Sequence, residues 1–198
     1  GDKNDDIFGI RDLALLTLMY HSACRVQEII DLHVYNFRNS STFTLCVTGK
    51  GNKTRIIPLN EETVRILNKY IVLYNLKNDD ILFANKVGNN LTRKGITYIL
   101  KKYIDIAKLD NPELFCFNVS PHGLRHSKAM HLLESGVNLV YIRDFLGHES
   151  IATTEIYAKA NPEVRRKEIE KASATVITKS KFSRKIKNEL LDFLKQVI

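Results

Sequence analysis

The segments SPHGLRH, residues 120–126, and LGHESIATTEIY, residues 146–157, carry most of the reactive side chains of this 198-residue chain. The serine and proline that open the first segment are a strong start signal for a helix. On that helix His122 and Arg125 lie one turn apart. The second segment ends a short helix at a glycine and then begins the helix that carries Tyr157. The fold is therefore expected to place histidine, arginine and tyrosine side chains of successive helices close together.

Helices are predicted for much of the chain before these segments. Residues 9–22 are apolar nearly all round and lack runs of β-branched residues, which predicts a buried central helix. A second helix is predicted to begin at Arg25 and to present one face formed by Val26, Ile29, Ile30 and His33. Because the helix dipole disfavours a cation at this end, we expect an anion beside Arg25, either a carboxylate or a bound phosphate.

Capping residues mark the starts of two more helices. Asn60, followed by two glutamates, predicts one packing helix, and Thr92 predicts another that carries Arg93 and Lys94. Near the end of the chain, residues 173–183 have no helical period and are interpreted as a linker. A final helix is predicted beyond the linker, with an apolar stripe formed by Ile186, Leu190, Phe193, Leu194 and Val197.

A change of period to two marks the strands. Residues 43–48 and 54–59 alternate in character around the glycine-rich turn GKGNK, which predicts a β-hairpin. Lys50 then lies at the exposed tip, with Lys53 and Arg55 beside it. The fold class expected from these patterns is mainly α with a small antiparallel β-sheet, an α+β arrangement.

Composition limits the class of protein. A chain of 198 residues suits one domain with a sizeable core. Its three cysteines form no Cys-x-x-Cys pair, so we expect neither a disulfide framework nor a zinc site, and a reducing, cytoplasmic location. No apolar run approaches the roughly 18–20 residues that span a bilayer, so no membrane partner is expected. The net charge of +8 and the sequence pI near 9.3 favour a polyanionic partner.

The reactive side chains match the needs of an attack on a phosphodiester by a protein hydroxyl. A tyrosine has an ordinary pKa of about 10, so Tyr157 must lose its proton as it attacks, and a neutral histidine can accept that proton. Arg25 and Arg125 present planar, permanently charged groups that suit a phosphate. Lys50, on a hairpin tip, can reach the departing oxygen and protonate it.

Six positions, taken in chain order, resemble the active site of the tyrosine recombinase family, the phage-integrase type. The matched positions are Arg25 in CRVQEI, Lys50 in GKGNKTRIIPL, His122 and Arg125 in HGLRH, His148 in LGH, and Tyr157. The resemblance covers most of the chain. It implies that Arg25 and Arg125 bind the scissile phosphate and that His148 donates a further hydrogen bond to it.

The resemblance assigns the proton transfers and the covalent step to the other three residues. His122 would be the general base, Lys50 the general acid, and Tyr157 the nucleophile that forms a 3′-phosphotyrosyl link. No cofactor, metal or ATP is implied, because the arginines stabilise the phosphate charge and the link conserves the energy of the phosphodiester. Cys24 and Gln27 differ from the residues common in the family at their positions, but neither difference removes a reactive group.

The resemblance also implies the domain organisation and the partners. Residues 1–172 would form the catalytic domain with the tyrosine recombinase fold, without the family's N-terminal core-binding domain. Residues 173–198 would supply the linker and a C-terminal helix that docks on a neighbouring protomer, within a tetrameric synapse on double-stranded DNA. The expected function is site-specific recombination, with integration or excision of a mobile element as the first hypothesis. Contacts with the DNA backbone are expected from Lys53, Arg55, Arg93 and Lys94.

Other interpretations remain open at this point. Taken alone, each residue has a common structural explanation; Arg25, for example, could simply pair with Glu28. His122 and His126, with His148, could suggest a metal site, but no carboxylate lies between the two neighbouring histidines as it does in zinc proteases. A type IB topoisomerase, a non-catalytic DNA-binding relic and a metal hydrolase are the alternatives from other classes.

Overall fold

The computed structural model describes residues 3–39, 43–110, 112–115, 119–148, 150 and 152–160. Its helices are α1 (Lys3–Ser22), α2 (Val26–Ile30), α3 (Glu61–Leu73), α4 (Arg93–Asp110), α5 (Pro121–Glu134), α6 (Leu139–Leu146) and α7 (Ala152–Ala160). Its strands are β1 (Phe37–Asn39), β2 (Phe43–Thr48) and β3 (Thr54–Pro58). This mainly helical fold with one small antiparallel sheet confirms the predicted fold class.

Part of the predicted organisation falls on residues 161–198, which lie outside the described residues. The linker and the final apolar helix therefore stay predictions. Among the described helices, none is both long enough and apolar enough to cross a membrane.

Helix α1 is the centre of the hydrophobic core. It packs against α3 and α5, and its fully buried side chains include Ala14, Leu15 and Leu18. A helix that is apolar on nearly all sides is stable in water only when other elements cover several of those sides. The predicted buried helix over residues 9–22 is confirmed, and the observed helix begins earlier, at Lys3.

The three strands pair antiparallel in the order β1-β2-β3. In the β2–β3 hairpin, Val47 lies opposite Arg55. The short 3₁₀ turn Lys50–Asn52 joins the two strands, and within it Gly51 has a φ of 72°, a left-handed conformation that favours glycine. The predicted hairpin is confirmed. The pattern does not predict β1, because three residues are too few to show a period of two.

The starts and ends of the helices are fixed as the capping residues predict. The side chains of Asn60, Thr92 and Ser120 each accept the backbone N–H three residues later, at 3.1, 3.0 and 3.0 Å. Gly136 and Gly147 follow the ends of α5 and α6 with φ angles of 80° and 67°. These caps fix the residues at which the helices of the segments 120–126 and 146–157 begin or end.

Helix α2 is shorter than predicted. It ends at Ile30, so His33 does not share its face, and that part of the prediction is wrong. The backbone after the helix pairs instead with a distant segment, in which the N–H of Leu82 donates to the carbonyl of Leu32 at 2.8 Å. A partner so far away in the sequence leaves no mark on the local periodicity.

Candidate active site

Arg25 lies at the N-terminal end of α2 and takes Glu28 as a partner. Its backbone N–H donates to Glu28 Oε2 at 2.7 Å, and its Nη1 donates to Oε1 at 3.2 Å. The anion expected beside this helix start is therefore a carboxylate of the same helix. The Arg25 side chain is still 44% exposed, so its guanidinium remains accessible to a second anion.

Arg55 on β3 binds the same carboxylate. Its Nη1 and Nη2 donate to the two oxygens of Glu28, both at 2.8 Å, in a bidentate pair. Burial alone would raise the pKa of Glu28, but the hydrogen bonds from Arg55 and from the backbone N–H of Arg25 bring that pKa below its ordinary value. Glu28 is thus an ionised, buried carboxylate that two arginines share.

Arg55, for which a DNA-backbone contact is expected, lies on the inner face of the hairpin, and that contact stays a prediction. Its side chain is only 13% exposed, because it lies opposite the buried Val47 on the core face of the hairpin. The alternation of residues along β3 already indicates this orientation, because Ile57, two residues after Arg55, is fully buried while Ile56 is 64% exposed. Alternation along the strand is a better guide to side-chain direction than nearness to the hairpin tip, and it places Arg55 on the partly buried face of the hairpin.

Arg125 on α5 is a buried cation, with 3% of its surface exposed. Its Nη1 donates to the carbonyl of Ala23 at 2.6 Å, and its Nη2 donates to the carbonyl of Leu146 at 2.7 Å. Burial, and then the positive charge of Arg25, lower its pKa to about 10, so it stays protonated at neutral pH. Arg125 therefore holds a fixed positive charge near that of Arg25.

Three arginines hold the C-terminal end of α6. Arg55, Arg125 and Arg25 donate in turn to the successive carbonyls of residues 145–147, at 3.1, 2.7 and 3.2 Å. The last carbonyls of a helix have no partner within the helix and carry partial negative charge, so cations satisfy them well. The next residue, His148, is thereby held beside the arginines.

A threonine on α7 sets the orientation of His148. The hydroxyl of Thr154, which is fully buried, lies 3.0 Å from His148 Nδ1. Burial, and then the charges of Arg125 and Arg25, lower the pKa of His148 to about 4, so the ring is neutral at pH 7. With the hydroxyl proton assigned to the bond with Nδ1, Nε2 carries the ring proton and is the donor. Sequence reasoning misses Thr154, because a helical threonine commonly bonds to its own backbone.

Tyr157 on α7 is 5% exposed and packs against His126, with ring centroids 5.4 Å apart. The His126 ring in turn meets the His122 ring edge to face, with centroids 4.1 Å apart. Burial raises the pKa of Tyr157, and the charge of Arg125 partly offsets this effect. Burial, His122 and Arg125 lower the pKa of His126. The row of three rings therefore holds a protonated tyrosine and, in His126, a neutral imidazole at pH 7.

Two clefts meet at Arg25. The first has a volume of about 340 Å³, and its lining includes Arg25, Arg93, His122 and Arg125. The second has a volume of about 660 Å³, and its lining includes Arg25, Gly49, Lys53, Gly147 and His148. Both clefts are open to solvent on one side and carry cationic side chains on their walls. This arrangement suits a phosphate group of an extended polyanion better than it suits a small neutral ligand.

Four of the six predicted reactive side chains, Arg25, His122, Arg125 and His148, line these clefts. Tyr157 lines neither cleft and is connected to the first by two ring contacts, with His126 and from there to His122.

The sixth reactive residue, Lys50, lies in the hairpin turn directly after Gly49, which lines the second cleft. Of the predicted backbone contacts, Arg93 lines the first cleft, Lys53 and Arg55 line the second, and Lys94 is exposed on α4 and lines neither. Over the part of the chain that the structure describes, no group of three or more histidine, cysteine, aspartate and glutamate side chains is arranged to hold a metal ion.

Comparison with known sequences identifies the relatives of this chain. The model of the phage integrase family matches residues 2–164. Tyrosine recombinase XerC of Natranaerobius thermophilus is 38% identical over 168 residues, which are 79% of this chain and 53% of that protein. Tyrosine recombinase XerD of Halalkalibacterium halodurans is 37% identical over 157 residues, which are 77% of this chain and 50% of that protein. The chain spans about half the length of the curated relatives it matches.

Comparison with solved structures points to the same group of proteins. The XerA recombinase superposes with a TM-score of 0.69 at 25% identity, covering 82% of this chain and 58% of that chain. The XerH site-specific recombinase, solved bound to its difH substrate in a pre-cleavage complex, superposes with a TM-score of 0.66 at 27% identity. That match covers 75% of this chain and 42% of the XerH chain.

Proposed function

The chain belongs to the phage integrase family, and from this membership we propose that it is a site-specific recombinase that cleaves and rejoins DNA through a covalent 3′-phosphotyrosine intermediate. The observation that carries the proposal is the convergence of Arg25, His122 and Arg125 on one cleft. Tyr157 is connected to that cleft by successive ring contacts with His126 and His122. A phosphate bound in that cleft meets two permanent positive charges beside a hydroxyl nucleophile.

The cleavage step exchanges one ester bond for another. The Tyr157 oxygen attacks the scissile phosphorus, and the new phosphorus–oxygen bond forms as the bond to the 5′ oxygen of the DNA breaks. The tyrosine proton passes to a general base, for which we assign the exposed His122. Lys50 gives a proton to the departing 5′ oxygen, so that the products are a free 5′ hydroxyl and a strand linked through its 3′ phosphate to Tyr157.

The charge that develops on the non-bridging oxygens is stabilised by fixed donors. Arg25 and Arg125 supply guanidinium groups that bonds to backbone carbonyls hold in place. The Nε2–H of the neutral His148 supplies a further hydrogen bond. Because these groups are already oriented before DNA binds, little reorganisation is needed as the reaction proceeds.

Rejoining is the same step in reverse, with a 5′ hydroxyl of another strand as the nucleophile. The phosphotyrosyl link has conserved the energy of the original phosphodiester, so ATP is not required. The two arginines stabilise the negative charge on the phosphate oxygens, a role that a metal ion has in many nucleases.

Double-stranded DNA is the proposed partner. The net charge of +8 favours it, and the exposed or cleft-lining cations Lys53, Arg93 and Lys94 are proposed to contact its backbone. Among the similar structures, XerH was solved on its difH DNA substrate. We also propose that the full-length protein acts in a tetrameric synapse in which residues 173–198 dock on a neighbouring protomer.

Integration or excision of a mobile element is the proposed biological outcome. Excision, integration, inversion and dimer resolution share the same chemistry, so the active site does not distinguish them. The DNA sequence that flanks the gene does distinguish these outcomes. Repeats that mark the two ends of an element around the gene would support the proposal, and uninterrupted chromosomal sequence on both sides would contradict it.

A trapping experiment on DNA of unknown target sequence tests the proposed chemistry. We would incubate the chain with a pool of duplexes that have a randomised core and a nick in one strand. Cleavage next to the nick releases a short oligonucleotide, whose loss prevents rejoining and leaves the protein attached to DNA. Covalent complexes are then separated on a denaturing gel, and their DNA is sequenced.

The proposal predicts that attached DNA forms with the wild-type chain, without ATP and in the presence of a chelator. It also predicts that the recovered sequences share a common motif. An adduct without any sequence preference would favour a topoisomerase-like activity. Cleavage that is lost in chelator would favour a metal hydrolase, and the absence of any adduct would favour a DNA-binding relic.

A further inference from the structure

The side chain of Arg55 joins three elements that carry separate parts of the site. It belongs to β3, which begins just after the turn that holds Lys50. Both of its terminal nitrogens bind Glu28 on α2 at 2.8 Å, and its Nε donates to the carbonyl of Phe145 on α6 at 3.1 Å. Arg55 also lines the second cleft, but with 13% exposure and all three of its nitrogens bonded, its guanidinium mainly connects these elements.

Gly49 brings the hairpin turn against the same ion pair. A Cβ atom at Gly49 would lie 3.1 Å from Glu28 Oε1 and 3.5 Å from Arg55 Nη1. The backbone there approaches the ion pair so closely that a Cβ atom would require Glu28 or the turn to shift by a few tenths of an ångström. Its N–H also donates to the carbonyl of Lys53 at 2.8 Å, which closes the turn. Because Lys50 directly follows Gly49, the turn that carries Lys50 packs against the Arg55–Glu28 ion pair.

Glu28 also binds Arg25, through the backbone N–H and through Nη1. One carboxylate therefore lies between the arginine that faces the cleft and the arginine that supports the hairpin turn. The positions of Arg25 and of the turn are set relative to each other through Glu28. This link is absent from the sequence pattern, which places Arg25 and Lys50 far apart on unrelated elements.

We propose that the Arg55–Glu28 ion pair is a positioning element for the general acid, which fixes the backbone that bears Lys50 with respect to the phosphate held by Arg25. The inference rests on the proposed function, because it needs a cleavage step in which Lys50 protonates the leaving 5′ oxygen. Arg55 does not touch the DNA in this account. It acts through the hairpin turn.

The chemistry of the leaving group gives this role its own signature. When the bridging 5′ oxygen is replaced by sulfur, the Tyr157 oxygen displaces a thiolate, which departs without a proton. A thiol has a pKa of about 8.5, far below that of an alcohol, so a misplaced general acid no longer limits the rate. A loss of the phosphate clamp or of the nucleophile, in contrast, slows the oxygen and sulfur substrates alike.

The test compares cleavage of a recovered target duplex carrying either the natural phosphate or a 5′-bridging phosphorothiolate. The variants are Arg55→Met, which removes the ion pair, and Lys50→Met, which removes the acid itself. Arg38→Met is the matched control, because Arg38 is an exposed arginine on β1 of the same sheet. Circular dichroism and DNA affinity are measured for each variant.

We expect Arg55→Met and Lys50→Met to slow cleavage of the natural substrate by about a hundredfold, and both to cleave the sulfur substrate at close to the wild-type rate. Arg38→Met should leave both rates unchanged. Equal slowing of both substrates by Arg55→Met, or no slowing of either, would overturn the proposal. If the wild-type chain cleaves neither substrate, it is the proposed function that fails.

Gly49→Ala provides a second variant for the case in which loss of the buried ion pair unfolds the chain. Gly49 has a φ of −99°, which alanine adopts without strain, so the substitution acts by pushing the turn away from Glu28 and Arg55 while both remain. The proposal predicts the same selective slowing of the natural substrate. Wild-type rates on both substrates would contradict it.

Discussion

The guanidinium of Arg55 lies directly against the backbone of Gly147. A Cβ atom at Gly147 would be 3.0 Å from Arg55 Nη1 and 3.2 Å from both Cδ and Cζ. Gly147 also has a φ of 67°, the left-handed cap that ends α6. Two separate demands therefore select glycine at the position just before His148.

Gly147→Ala is expected to destabilise the protein more than a left-handed cap alone explains. The left-handed backbone costs about 1–2 kcal/mol for a residue with a Cβ, and displacing Arg55 from its bonds with Glu28 adds about 1–3 kcal/mol. Gly136→Ala is the matched control, because Gly136 has a φ of 80° and nothing within 4 Å of its Cβ position. Urea unfolding measures both variants. Equal losses would show that the Arg55 contact is unimportant for stability.

Thr154→Val is expected to slow cleavage by about tenfold, because it removes the hydroxyl that fixes the proton of His148 on Nε2 while keeping the side-chain shape. The loss should be smaller than that for a deleted transition-state donor, which costs about 10²–10³-fold. Thr154→Ser keeps the hydroxyl and should retain nearly full activity. Single-turnover cleavage rates on the natural and sulfur substrates provide the measurement. A defect confined to the natural substrate would instead connect Thr154 with the leaving group.

His148 should make the free energy of unfolding depend on pH. Its pKa is about 4 in the folded chain and about 6.5 when unfolded, so between these values the unfolded state binds a proton that the folded state does not. Stability from this group is therefore present above pH 6.5 and is lost as the pH falls toward 4. The charged or titratable groups that lower its pKa are Arg125, Arg25, His126 and Arg55.

His148→Asn isolates this contribution, because asparagine keeps a polar partner for Thr154 but does not titrate. Urea unfolding at a series of pH values between 4 and 7.5 should give a shallower acid loss for the variant than for the wild type. His126 titrates in both proteins, and its lowered pKa acts in the same direction, so only the difference between the two curves reports on His148. Identical curves would show that the pKa of His148 is not lowered in the folded state.

Lys53 and Lys94 are expected to contribute sequence-independent DNA affinity. Each phosphate contact that is lost should reduce the slope of log K against log salt concentration by about 0.9. Lys53→Ala and Lys94→Ala should therefore weaken specific and random duplexes alike. Lys69→Ala, an exposed lysine on α3, is the matched control and should leave the slope unchanged. Fluorescence anisotropy at several salt concentrations provides the slopes.

Local signals in the sequence predict the elements that carry the site. The serine cap before α5, the glycines after α5 and α6, and the period of two around GKGNK each have a nearby physical cause, and the structure shows each of them. Helix α2 shows the limit of such signals. Its end depends on the pairing of Leu32 with Leu82, which no window of local sequence contains.

The network that orients the reactive side chains is less accessible to sequence reasoning. Glu28 appears in the sequence only as a possible partner of Arg25, whereas in the structure it also binds Arg55. The direction of Arg55 follows from strand alternation, but its partner does not. The bond between Thr154 and His148 depends on the angle between two helices and has no signature in residue spacing.

The proposed function requires that Tyr157 becomes covalently linked to a DNA 3′ phosphate. Mass spectrometry of the trapped complex, after nuclease and protease digestion, identifies the residue that carries the nucleotide. We predict that the mass of the remaining nucleotide is found on the peptide that contains Tyr157, and that Tyr157→Phe forms no adduct. A nucleotide attached to any other residue, or an adduct that persists in Tyr157→Phe, would contradict the account.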